Sequence, residues 1–150
     1  MATKKMAIIA TKGALDMAYP PLILASTAAA LGWDVQIFFT FYGLQLLRKD
    51  LSGIAISPIG NPAMPMPVPM PVLVSALPGM QAMATGMMKA KMKKKGVASL
   101  EELRSLCLEA GVKFIACQMT VDLFEFSKAD FIDGIEYGGA ATFLGFAGDT

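Results

Sequence analysis

The sequence predicts an α/β domain, a mostly parallel sheet flanked by helices and carrying a Met/Pro-rich insertion. Three observations predict it. First, MAIIA (6–10), ALDMAYPPLILASTAAALG (14–32), WDVQIFFTF (33–41) and YGLQLLRKD (42–50) read as strand, helix, strand and helix. That alternation marks parallel strands joined by crossovers. Second, the pattern returns near the other end, where a helix with a good start signal leads into VKFIAC (112–117). Third, 150 residues fit one compact domain with enough chain to bury a core. The expected organisation is one domain, 1–150, with the insertion at about 58–96 and no internal repeat or interdomain linker.

MAIIA is short and apolar and ends at TKG, as a buried strand does. In the segment that follows, Asp16 lies near the start, where a carboxylate suits the helix dipole. Pro20 and Pro21 occupy either the true first turn or a kink. Gly32 stops the helix. WDVQIFFTF reads as the second strand and YGLQLLRKD as a shorter helix. Residues 51–88 hold no charge and seven prolines. Such a stretch cannot be a straight helix, and in lipid its freed backbone groups would be costly. It reads as a polyproline-like or irregular loop. MQAMATGMMKAKMKKKG (80–96) can form a helix with Met80, Met83, Ala84, Met87 and Met88 on one face. In SLEELRSLCLEAG (99–111), Ser99 and Glu102 form a capping-box pattern and Gly111 ends the helix. TVDLFEFSKADF (120–131) reads as one or two short helices with Thr120 as candidate cap. GIEYGGAATFLGFAGDT (134–150) reads as a last strand, a glycine turn and a C-terminal helix.

Composition narrows the chemistry. The chain is 55% hydrophobic, so a membrane protein must be considered, yet the one long uncharged stretch is broken by proline. A net charge of +1 carries no nucleic-acid signature. Charge is uneven: residues 1–98 hold ten bases and three acids, residues 99–150 three bases and nine acids. With no histidine, Ser-His-Asp and Cys-His catalysis and mixed His/Cys zinc sites fall away. Two cysteines cannot build a disulfide framework or a four-thiolate zinc site, and they suit a reducing compartment. The start is not a convincing secretory signal, because its apolar stretch is short and Lys12 and Asp16 follow closely. The expectation is a cytoplasmic protein with no metal and no cofactor.

Ligands of open α/β sheets sit beyond the carboxyl ends of the strands, and Cys117 falls at such an end. A following helix N-terminus favours thiolate over thiol, whereas nearby Asp122 opposes it. The alternative is an inert cysteine at the end of a buried strand. Cys107 repeats with Leu100, Leu103 and Ala110 on one helix face, so core packing is its better reading. A redox or resolving pair with Cys117 stays open, since a helix and the next strand can pack with such positions close. Eight of the twelve methionines lie in 61–95, a flexible apolar surface suited first to subunit or partner packing, then to lipid, and least to copper. The lysine run 89–95 is a solvated face by default, or else a membrane-surface or acidic-partner contact. No dinucleotide or P-loop motif follows the first strand, and EYGGAA offers a glycine turn that either cradles an anion or permits tight packing.

GNPAMPMPVPMP and ALPGMQAMATGMMK, then GVKFIACQMTVDLF, then DFIDGIEYGGAATFL together resemble the DsrE/DsrF-like family, in its branch with a Met/Pro-rich insertion. The resemblance covers nearly the whole chain in order. It implies a DsrE-like fold with flavodoxin-like layering, often assembled into homo-oligomers. It also implies cytoplasmic sulfur trafficking, with Cys117 as the expected sulfur acceptor and Cys107 as a looser candidate second cysteine. The implied partners are sulfur donor or acceptor proteins, TusA-like or rhodanese-like. The competing expectation is a non-catalytic module that docks on a membrane surface or a protein partner through the Met/Pro-rich segment.

Overall fold

The computed structural model of the chain describes residues 3–51, 53–54 and 79–150. The expected polyproline-like loop, and with it most of the insertion, lies outside the described residues. Four strands form one parallel sheet in chain order: β1 (Lys5–Ala10), β2 (Asp34–Phe39), β3 (Lys113–Cys117) and β4 (Glu136–Gly138). Side chains alternate across a strand, so the sheet separates two cores. Val35, Ile37 and Phe39 of β2 and Phe114 and Ala116 of β3 point into the larger one. Phe38, Ile115 and Cys117 point into a smaller one on the other side.

Helix α1 (Leu15–Ala30) and helix α3 (Leu100–Glu109) pack on each other and cover the larger core. Burial of Leu15, Ala18, Leu22, Ala25 and Ala28 follows the helical period along α1. The helix starts at Leu15, so Pro20 and Pro21 stand in its second turn rather than its first. Each proline removes one helical hydrogen bond, and the buried stripe carries the helix through them. Gly32 adopts φ +84°, Trp33 N–H reaches the Ala28 carbonyl at 3.0 Å, and Gly32 N–H reaches Ala29 at 2.9 Å. This is the Schellman stop that a glycine permits. Gly111 ends α3 in the same way, with φ +87°. Ser99 caps α3 by accepting the Glu102 N–H at 3.2 Å. A full reciprocal capping box occurs elsewhere, between Ser127 and Asp130 around the 3₁₀ turn Lys128–Asp130.

The segment after β2 is a 3₁₀ helix, Phe41–Leu47. Phe41 opens it at φ +49°, and Gly43 seats its bare Cα against the Ala10 carbonyl, where a Cβ has no room. Buried residues Leu44 and Leu47 are three apart, the spacing that a 3₁₀ helix aligns. Arg104 of α3 holds the far end, donating Nη1 to the Leu46 carbonyl at 2.9 Å and the Arg48 carbonyl at 2.6 Å. Helix α2 (Met80–Lys94) turns Met88 toward the larger core while Met83 and Met87 stand exposed. The side chains of Met80 and Ala84 lie outside the described residues.

Helix α4 (Gln118–Leu123) follows β3 without a loop. Helix α5 (Ala140–Ala147) returns from β4 across the second face and contacts β1, β2 and β4. Phe143 of α5 stacks on Phe38 with ring centroids 5.1 Å apart and planes 14° apart. Among the described residues, no helix is long and apolar enough to cross a membrane.

Candidate functional site

Ala10, Phe39, Cys117 and Gly138 end the four strands on one edge of the sheet. The ladder pairs Phe39 with Ala116, so one step further sets Thr40 beside Cys117. On the other side Cys117 pairs with Gly138. Cys117 therefore sits between two strand ends, at the carboxyl edge where an open sheet places its ligands.

Cys117 is also the N-cap residue of α4, with extended backbone (φ −68°, ψ 110°). Thr120 is thus not the cap. It stands inside the first turn, fully buried, and spends its hydroxyl on a different element. Thr120 Oγ1 lies 3.2 Å from Thr40 Oγ1 and accepts the Phe41 N–H at 3.3 Å. Two residues eighty positions apart are joined in this way, and the 3₁₀ helix is tied to α4.

Cys117 as a residue is 5% exposed, among Phe38, Ile115 and Phe143. Burial by itself raises its pKa, because a thiolate loses hydration. The Thr120 hydroxyl and amide, the Thr40 hydroxyl and the Met119 amide work the other way, and together they hold the thiol below its ordinary value. No amide of the turn forms a full cap bond to the sulfur, so the effect is spread over several donors. Asp122 faces away from this task, its carboxylate accepting the Gln118 amide at 2.9 Å.

Cys107 lies elsewhere. It is fully buried in the larger core on α3 and donates its thiol to the Leu22 carbonyl at 3.3 Å. Burial pushes its pKa up to about 11, against a smaller opposing pull from the Ser26 backbone. The structure does not bring the two cysteines together, because the sheet separates their cores. Both thiols are free.

The glycine turn before α5 serves packing. A Cβ on Gly138 would stand 3.2 Å from three atoms of the Thr142 side chain, and Gly139 provides the N-cap of α5. Among the described residues, no group of three His, Cys, Asp or Glu side chains could hold a metal ion. Sequence reasoning missed Thr40. The signal was present, since FFT and IAC are the closing residues of two strands in one parallel sheet.

Site and fold together define a class: a small parallel α/β protein with a donor-surrounded thiol at the carboxyl edge of its sheet. The chain matches the DsrE/DsrF/DrsH-like family over residues 2–150 and belongs to it. It is 68% identical to the sulfur carrier protein DsrE2 of Allochromatium vinosum, over all of this chain and 96% of that protein. It is 33% identical to YrkE of Bacillus subtilis, a protein uncharacterized by name, over 95% of this chain and 90% of that one.

Proposed function

We propose that this chain is a sulfur carrier whose acceptor is Cys117. The observation that carries the reading is a cysteine only 5% exposed whose thiol is nonetheless held below its ordinary pKa by Thr40, Thr120 and the first turn of α4. The thiolate, not the thiol, is the nucleophile in sulfur exchange. Ionisation without a histidine suits a cysteine that takes a group and gives it up again, rather than one served by an acid–base partner. The 68% identity to a protein named as a sulfur carrier supports the same reading.

In this account Cys117 attacks a sulfane sulfur, or the sulfur of a thiosulfonate donor. The S–S bond of the donor breaks, its electron pair leaves with the donor's other sulfur, and Cys117 retains the transferred group. An acceptor thiolate then attacks that group and releases Cys117 as thiolate. The donor and acceptor fit small cytoplasmic sulfur-transfer proteins of TusA-like or rhodanese-like type, which present a cysteine of their own. The chain works as one domain assembled into a homo-oligomer. Cys107 contributes packing: its thiol is neutral, fully buried and on the far side of the sheet, which disfavours the resolving role.

The test is intact mass after brief incubation with polysulfide, and separately with tetrathionate. Wild type and Cys107→Ser gain sulfane sulfur or a thiosulfonate group, and Cys117→Ser gains neither. Uptake that survives in Cys117→Ser would remove the assignment.

A further inference from the structure

The hydroxyl pair beside Cys117 has a countable set of hydrogen bonds. Thr120 Oγ1 accepts the Phe41 amide at 3.3 Å. The two hydroxyls then share one hydrogen bond at 3.2 Å, with either as donor. If Thr40 donates, the Thr120 hydrogen is uncommitted; if Thr120 donates, the Thr40 hydrogen is. Either arrangement leaves one hydroxyl hydrogen uncommitted, next to Cys117 by strand register and among the groups that lower its pKa. When the free hydrogen is that of Thr120, which is 0% exposed, bulk water cannot take that place. An uncommitted buried donor is costly unless a charged or polar acceptor meets it. The pair is therefore matched to a negatively charged sulfur at Cys117 more closely than to a neutral one.

A sulfur carrier meets that charge at two moments. Cys117 is thiolate before it is loaded and thiolate again when it is released. Stabilising a thiolate lowers its intrinsic nucleophilicity and improves it as a leaving group. From this asymmetry, and resting on the carrier reading above, we infer that Thr40 and Thr120 are positioning residues that set the direction of transfer, favouring release of sulfur from Cys117 over its capture. The releasing step balances without another reactant. An acceptor thiolate attacks the outer sulfur of the neutral Cys117 persulfide, a new S–S bond forms, the Cys117 Sγ–S bond breaks, and its electron pair returns to Sγ. The hydrogen stays on the transferred sulfur, and no net oxidation occurs.

The two half-reactions can be timed separately, loading with its rate divided by the thiolate fraction read from Cys117 alkylation, and release at a pH low enough that the persulfide keeps its proton. Loading uses polysulfide, and release uses 2-mercaptoethanol added to loaded protein, both followed by intact mass. Losing a hydrogen bond to a charged sulfur moves its titration by about one unit or more. With a nucleophile sensitivity of about 0.4–0.5, Thr40→Val then loads about threefold faster and releases severalfold slower. Thr120→Val does the same if it folds, and the half-buried Thr40 keeps the test independent of that. Thr40→Ser restores both rates. Opposite signs separate this role from simple loosening, which would change both steps in one sense. If wild type loads but Thr40→Val speeds or slows both steps alike, the directional role is wrong and the carrier reading stands. If wild type never loads, both are wrong.

Discussion

At Cys117, burial alone would push the thiol up, and hydroxyls and amides from two elements outweigh it. At Cys107, burial meets little opposition and the thiol rises to about 11. These opposite shifts have opposite consequences for stability. A thiol with a depressed folded pKa adds stability above the unfolded thiol value and loses it as pH falls through the folded one. A thiol with a raised folded pKa stabilises the fold fully below the unfolded value, and that contribution is lost as pH climbs through the folded one. Between pH 9 and 11 the unfolded Cys107 has lost its proton while the folded one keeps it. Wild type should therefore lose roughly 2–3 kcal/mol across that window that Cys107→Ala does not lose. Urea unfolding at both pH values reads the difference. At neutral pH, Cys107→Ala should cost about 1–2 kcal/mol through a small cavity and the lost thiol bond to the Leu22 carbonyl, with sulfur uptake at Cys117 intact.

Among the elements, the 3₁₀ helix Phe41–Leu47 decides how the site is built. Its start is tied to Thr120 and its end to Arg104, so both α4 and α3 anchor it. Arg104 is buried and gives charge-assisted bonds to two backbone carbonyls. Arg104→Met keeps much of the apolar stem and removes those bonds. It should cost about 2–3 kcal/mol in urea unfolding. This element was only half legible in the sequence. YGLQLLRKD showed a helical run with buried leucines, but its 3₁₀ form depends on a positive φ at Phe41 and a backbone approach at Gly43 that no periodicity reveals. Thr120 was legible as a threonine near a helix start. Its true partner, Thr40, is a tertiary neighbour, and only strand register could have found it.

For the molecule as a whole, the sheet keeps its two cysteines in different environments. The larger core gathers α1, α3 and one side of every strand. The smaller one is closed by Phe143 of a single short helix. Phe143→Ala should cost about 3 kcal/mol and uncover Cys117, so its alkylation by iodoacetamide quickens while Cys107 stays unreactive under native conditions. Parallel strands and the stops at Gly32 and Gly111 were readable because alternation, apolar runs and glycine act locally. The separation of the cysteines was not readable. Ten residues of helix, turn and strand permit either side of the sheet, and only the pleat of β3 assigns Cys117 to the α5 side.

Hydroxyls and amides hold a buried sulfur at the sheet edge below its ordinary pKa. The measurement that tests it most directly is the pH dependence of Cys117 alkylation in folded Cys107→Ala, which leaves one thiol to follow. The account predicts a midpoint clearly below that of free cysteine, about 8.5, moving up in Thr40→Val and back in Thr40→Ser. A midpoint at or above free cysteine, indifferent to Thr40, would contradict it.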